Sequence, residues 1–215
     1  MKPRLLDAFS GAGGATAGYQ CAGFHVTGVD INPQPRYCGD DFVQGDAIEF
    51  IRDHGREFDA IHASPPCQDH SPLRYATKRL HGTGGLLAEA RRELELSGCP
   101  WVIENVPGAP MRVDYQLCGC MFLLPGLRRE RWFETSWRGF DLRESCQHSG
   151  YAITVAGHGM QGREYRAGAG YTQEDRKRAM GIWWMNRDEL AQAIPPAYTE
   201  FIGVRLMAAV RERAA

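Results

Sequence analysis

Short apolar runs recur along the first hundred residues at a spacing that leaves room for one helix between successive runs. Leu5-Leu6-Asp7-Ala8-Phe9 ends at Ser10-Gly11-Ala12-Gly13-Gly14, and Ala15 to Cys21 then reads as a helix. Phe24 to Val29 is a second strand and Phe42-Val43-Gln44 a weak third, after which Asp46 caps a helix running to about His54. Phe58 to His62 and Trp101 to Ile103 supply a fourth and fifth strand, with an amphipathic helix from Leu86 to Leu96 between them. Strands separated by helices pair in parallel and are covered on both faces, so the expected fold is α/β with a doubly wound, mostly parallel sheet. A chain of 215 residues has enough apolar surface for one sizeable core and little more. The tail from Pro195 places Tyr198, Phe201, Ile202, Leu206 and Ala209 on one helical face, which predicts that it packs on the sheet.

Composition narrows the class further. Hydrophobic residues make up 43% and charged residues 24%, as in a globular protein in water. No stretch approaches the roughly 20 apolar residues of a membrane helix, and Met1-Lys2-Pro3-Arg4 runs straight into a strand, so neither a membrane partner nor a cleavable signal is expected. The seven cysteines are an odd number, which fits reduced thiols in a cytoplasmic protein. A net charge of −1 hides an uneven distribution. Residues 1–67 carry five Lys/Arg against nine Asp/Glu, and residues 128–178 carry ten against seven. An acidic half can hold a cationic small molecule while a basic half faces phosphates, although scatter along a solvated surface would also give such counts.

The strand ends carry the candidate chemistry. Phe9, Ser10, Gly11, Ala12, Gly13 and Gly14 form a loop between a strand and a helix, where backbone can approach a ligand and helix N–H groups are free to donate. The second strand ends at Asp30-Ile31, where a carboxylate can accept both hydroxyls of a ribose. Asp46, after the third strand, is placed to bind an exocyclic amine. The GxGxxG pattern is incomplete because position 16 is Thr, which points to S-adenosylmethionine over a nicotinamide cofactor. Cys67 follows the fourth strand in Ser64-Pro65-Pro66-Cys67-Gln68, with two prolines stiffening the turn. Cys21, Cys38 and Cys99 read as small buried hydrophobes. Glu104 follows the fifth strand, where a buried carboxyl must find a partner.

In this order the motifs resemble those of the DNA (cytosine-5) methyltransferases, compact orphan enzymes of phage or prophage type in particular. Asp7 to Gly14 is similar to the family's cofactor loop, while Asp30-Ile31 and Gly45-Asp46 resemble its ribose and adenine contacts. Pro65-Pro66-Cys67-Gln68 matches the nucleophile motif, Glu104-Asn105-Val106 the acid motif, and Arg129-Glu130-Arg131 the motif that contacts the target nucleotide. Ala191-Gln192-Ala193-Ile194-Pro195-Pro196 resembles the motif whose C-terminal helix returns to the cofactor pocket, with Ala191-Gln192 where the family usually has Gly-Asn. The resemblance covers most of the chain except residues 137–170, which are far shorter than the usual target-recognition domain.

The resemblance implies a class I S-adenosylmethionine-dependent methyltransferase fold. Residues 1–136 and 171–215 would form the catalytic domain, and 137–170 a very short recognition insert. It implies S-adenosylmethionine as cofactor, with Pro66 joining its pocket, and double-stranded DNA as partner. The enzyme would act as a monomer in the cytoplasm of a bacterial or phage-infected cell. Cys67 would attack carbon 6 of a flipped cytosine, Glu104 would act at N3, and Arg129 and Arg131 would hold the ring oxygen and the flanking phosphate. Gln68, Ser71, Arg74 and Lys78 would meet DNA from a loop ending at Gly85. His158, Gln161, Arg163 and Arg166 are the candidates for base readout, enough for roughly two to four base pairs if one or two contacts are bidentate. The same motifs suit an RNA cytosine-5 methyltransferase, and a non-catalytic DNA-binding relative would keep the fold. Cys118, Cys120, Cys146 and His148 could ligate zinc, but Cys-Gly-Cys and Cys-Gln-His are tighter than the usual C-x2-4-C spacing, and no metal is assigned.

Overall fold

The computed structural model describes residues 1–66, 85–124, 126–137, 146, 152, 153, 155 and 171–215. Among these, seven strands form one sheet in the order β3-β2-β1-β4-β5-β7-β6. They are β1 (Arg4–Ala8), β2 (His25–Asp30), β3 (Asp41–Gln44), β4 (Ala60–Ala63), β5 (Trp101–Asn105), β6 (Tyr115–Leu117) and β7 (Arg131–Thr135). The first five are parallel, while β7 pairs antiparallel with both β5 and β6. The helices are α1 (Gly14–Cys21), α2 (Ala47–His54), α3 (Leu86–Ser97), α4 (Gln173–Met180), α5 (Arg187–Gln192) and α6 (Pro196–Ala214). None of the described helices is long and apolar enough to cross a membrane.

Alternation along each strand sorts the core into two layers. Leu5, Val26, Ala60, Val102 and Phe133 pack with Tyr19 of α1 and Tyr198, Ile202 and Leu206 of α6. Their chain neighbours Leu6, Ala8, Val29, Ile61 and Ile103 pack on the other face with Ile51 of α2 and Leu87 and Leu94 of α3. A third cluster joins Ala12 to Leu127, Ile153, Met180, Ile182 and Leu190, fastening α4 and α5 beside the first βα loop.

The sequence expectations hold for the order of the first five strands, with shifts at the ends. The fourth strand begins at Ala60, two residues later than expected. The fifth runs on through Asn105, so Glu104 lies within the strand and not after it. The tail helix does bury Tyr198, Ile202 and Leu206, but it reaches the sheet side by side with α1. Their approach is close enough to exclude a side chain at Gly18, where a Cβ would lie 2.1 Å from the Pro196 carbonyl oxygen. Thr199 completes the seam by donating its hydroxyl to the Ala15 carbonyl at 2.9 Å. Two cysteines depart from expectation: Cys99 is buried, but Cys38 is half-buried and Cys21, the last residue of α1, is exposed.

Beneath the first loop sits a fully buried polar cluster. Thr16 donates its hydroxyl to Asp7 Oδ2 at 2.5 Å, and Tyr19 Oη lies 2.8 Å from His62 Nδ1. His62 Nε2 is 4.0 Å from Asp7 Oδ1, too far for a hydrogen bond. Burial pushes the Asp7 carboxyl up to about 7 and the His62 imidazole down to about 3. Both groups are therefore neutral in the folded chain at mildly acid pH.

Their effects on stability oppose each other. Native Asp7 holds a proton that the unfolded chain releases above its ordinary value of 3.8, so its contribution falls as pH rises from there to about 7. Unfolded His62 takes up a proton that native His62 refuses, so its contribution falls as pH drops from 6.5 toward 3. In Asp7→Asn only the second effect remains. Urea melts between pH 4 and 6.5 should show that the variant gains stability with rising pH more steeply than the wild type. Equal slopes would contradict the assignment.

Candidate active site

The sheet order reverses direction between β1 and β4: β2 and β3 lie on one side of β1, β4 and β5 on the other. Crossovers leaving β1 and β4 diverge at that point and open a crevice beyond the carboxyl ends of the strands, where α/β sheets bind ligands. The glycine loop, Asp30, Asp46, Pro66 and Glu104 all follow or end strands at this edge. Ser64 ties its two sides together, its N–H donating to the Ala8 carbonyl at 3.2 Å and its hydroxyl to the Phe9 carbonyl at 3.3 Å.

On the β1–β2 side the backbone is shaped for close approach. Phe9 is held at φ 61°, a left-handed conformation that is uncommon for a non-glycine residue, and Gly11 follows at φ 50°. A Cβ at Gly11 would meet nothing within 4 Å, so the space beside it is open. Asp30 secures the loop: its Oδ2 accepts the Gly11 N–H at 3.0 Å and its Oδ1 the Asn32 N–H at 2.9 Å. Each oxygen keeps a lone pair for a further donor. Ile31 presents 65% of its surface to solvent next to that carboxylate. Asp46 is exposed and caps α2, with Oδ1 accepting the N–H groups of Ile48 and Glu49. Open backbone, a carboxylate with spare acceptors and an exposed apolar side chain together fit the ribose and base of a nucleoside. Ser10, Ala12, Gly13 and Gly14 are buried and shape the loop from beneath. Trp184 supports it from outside, donating its indole N–H to the Ala12 carbonyl at 2.8 Å.

On the β4–β5 side the central group is Glu104, 6% exposed. It stands directly opposite Phe133 in the antiparallel pair, and Arg131 lies two residues from Phe133 on the same face of β7. That diagonal brings Arg131 Nε to 2.8 Å from Glu104 Oε1. The two are an ion pair without an aligned hydrogen bond, since Oε1 accepts none among the described residues. Burial raises the Glu104 carboxyl above the usual range, and Arg131 and Arg129 pull it back only in part. Glu134 of β7 shows the contrast. It is equally buried, but it accepts from Arg91 Nε and Nη2 and from the Arg112 N–H. Glu134 is a satisfied structural carboxylate, whereas Glu104 keeps acceptor capacity for another donor.

Asn105 fixes the neighbouring turn, its Nδ2 donating to the Pro65 carbonyl at 3.0 Å and its Oδ1 accepting the Val106 N–H at 2.9 Å. The segment Ser64–Pro66 that leads to Cys67 is thus pinned beside the Glu104 strand end, with Pro66 exposed. Arg129 does not present its guanidinium as Arg131 does. Its Nε donates to the Ala193 carbonyl at 3.0 Å and its Nη2 to the Ala191 carbonyl at 2.6 Å, while Tyr198 Oη donates to the Arg129 carbonyl at 2.7 Å. Arg129 therefore joins the strand-end motif to the turn before α6. Asn105 was visible only as part of the acid motif and Tyr198 only as a residue of the tail helix's apolar face; Trp184 was not singled out from sequence. Their hydrogen bonds here emerge from tertiary packing. Cys67, Gln68, Ser71, Arg74, Lys78, His148, His158, Gln161, Arg163 and Arg166 lie outside the described residues.

The chain is similar to several known proteins. The chain resembles the Type II methyltransferase M1.BsuMI of Bacillus subtilis (strain 168), 29% identical over 136 residues that cover 48% of this chain and 31% of that protein. It thus spans about a third of the length of that curated relative. The crystal structure of the S. pombe Dnmt2 methyltransferase superposes with a TM-score of 0.62 at 14% identity, covering 97% of this chain and 99% of the other, and so shares the fold. An E. coli DNA modification methyltransferase encoded within a prophage matches 61% of this chain and 45% of its own, with 22% identity and a TM-score of 0.46. The profile of the C-5 cytosine-specific DNA methylases matches residues 4–112, just over half of the chain, including the glycine loop, Asp30, Asp46, Glu104 and the turn between them, and the chain belongs to that family.

Proposed function

We propose that this chain transfers the methyl group of S-adenosylmethionine to carbon 5 of cytosine in double-stranded DNA, through a covalent adduct with Cys67 on a flipped base. The observation that carries the reading is Glu104: a buried carboxyl with raised proton affinity, paired with Arg131, on the strand next to the one that leads into Pro65-Pro66-Cys67. The target ring must leave the duplex, because its reacting atoms are inaccessible within the stack. The Cys67 thiolate adds to carbon 6. Glu104 donates a proton or hydrogen bond to N3, which spreads the charge that develops during the attack. Arg131 keeps the carboxyl oriented and is near enough to hold the ring oxygen or the flanking phosphate with its remaining donors. Carbon 5 is then nucleophilic. The cofactor supplies an electrophilic methyl to it; Asp30 would accept the ribose hydroxyls and Asp46 the exocyclic amine. Loss of the carbon-5 proton to solvent, expulsion of the thiolate and return of any proton on N3 to Glu104 restore the aromatic ring.

Residues 1–136 and 171–215 act as the catalytic domain in this reading, and 137–170 as a reduced recognition insert in which His158, Gln161, Arg163 and Arg166 are the readers. Labelled methyl transfer to matched DNA and RNA substrates tests the substrate class: duplex DNA should be labelled and RNA should not. Glu104→Gln keeps the shape but cannot give N3 a proton. Its turnover should fall by about 100-fold or more, as expected for loss of a general acid, with DNA affinity little changed. A variant turning over near the wild-type rate would remove Glu104 from the chemistry.

The cofactor pocket is tested independently of DNA. Asp30→Ala and Asp46→Ala should each weaken S-adenosylmethionine binding in calorimetry, while Cys67→Ser should bind it as the wild type does. Both aspartates also hold local backbone, so circular dichroism should first show that the variants are folded. Normal affinity in both aspartate variants would mean that the nucleoside pocket lies elsewhere.

A further inference from the structure

We propose that Cys118, Cys120 and Cys146 form a thiolate site for a thiophilic divalent cation, zinc foremost, which fastens the segment after β7 to the sheet edge at β6. The three Sγ atoms lie within 4.8 Å of one another, and those of Cys120 and Cys146 are 3.2 Å apart. A tetrahedral zinc with bonds of about 2.3 Å to sulfur requires sulfurs about 3.8 Å apart, so changes in separation of up to about 1 Å would close the site. Cys118 is buried and the other two are half-buried.

The sequence spacing argued against metal, and the local backbone explains why it need not. Cys118 is extended, at φ −140° and ψ 155°, and Gly119–Phe122 turns at once into a 3-10 helix. That change of direction aims both sulfurs of Cys-Gly-Cys at one point. Gly119 is required there, because a Cβ would lie 2.4 Å from the Leu127 carbonyl oxygen. The turn is therefore wedged against the chain leading to β7 and is rigid enough to present two ligands. Cys146 comes from 26 residues further on, so its arrival at the same point is a tertiary event. A second attachment lies close by in sequence: Ile153 bridges Leu127, its N–H donating to the Gly126 carbonyl at 3.0 Å.

Three crowded thiols gain little as thiols. As the cation binds, each metal–sulfur bond replaces one S–H bond, and three protons leave to solvent. An all-sulfur set of this kind suits structural zinc. A disulfide between Cys120 and Cys146 would leave Cys118 with no part in the cluster.

The test uses the full chain purified under reducing conditions without chelator. Elemental analysis should find about one zinc per chain, and a thiol-blocking mercurial should release it to a coloured indicator. Cobalt exchanged into the wild type should give the intense sulfur-to-cobalt charge-transfer absorption of several thiolate ligands. Cys120→Ser and Cys146→Ser should lose most of the metal, while Cys21→Ser, whose thiol is exposed at the end of α1, should keep it. The release and cobalt measurements need only the wild type, so they decide the matter even if a variant misfolds. Metal-free protein that takes up no zinc or cobalt would overturn the proposal, as would a Cys120–Cys146 disulfide that forms on purification in place of metal. None of these readouts depends on methyl transfer.

Discussion

Antiparallel pairing of β7 against β5 is the constraint from which the site follows. The first five strands are parallel, and helices could cover them in many α/β proteins. The reversed strand changes what lies beside the carboxyl end of β5, because it begins at Arg131, just where β5 ends. A carboxyl buried at that point without a cation would be costly, and leaving either partner alone would be worse. The pair persists because the diagonal of the ladder brings Nε to Glu104 without disturbing the strand. The result is a carboxyl whose proton affinity burial raises, with an arginine beside it, both at the edge where the chain turns toward Cys67.

The two arginines of the Arg-x-Arg motif then have different tasks. Arg131 faces Glu104. Arg129 is used up to a large extent by the carbonyls of Ala191 and Ala193, and through them the turn before α6 is bound to the same strand end. That turn also packs on α1, where Gly14 and Gly18 have no room for side chains. A continuous line of backbone contacts therefore runs from the acid, through Arg129 and the turn, to the glycine loop. It ties a turn late in the chain to the loop built from its first residues.

Much of this was legible before the structure. Strand and helix order through Asp46, the glycine loop and the placement of Glu104 all follow from local patterns: apolar runs, a cap, a polar residue at a strand end. What was not legible is tertiary. Nothing near Arg129 in sequence signals that its partners are carbonyls more than sixty residues away. The exposure of Cys21 depends on which side of α1 faces α6, and a helix of eight residues carries too weak a periodicity to decide it. The approach of Cys118 to Cys120 is not visible in their spacing, because it depends on a strand end and a 3-10 helix meeting at a glycine. Cys146 was visible as a candidate partner, but its 3.2 Å approach to Cys120 is set by tertiary structure.

The most direct test of the central claim is a trapping experiment on duplex DNA containing 5-fluorocytosine. Fluorine at carbon 5 cannot depart as a proton does, so an adduct formed by attack at carbon 6 cannot resolve after methyl transfer. With S-adenosylmethionine present, mass spectrometry should find the DNA covalently attached to the peptide containing Cys67, carrying one added methyl group. No adduct, or attachment at another residue, would contradict the account.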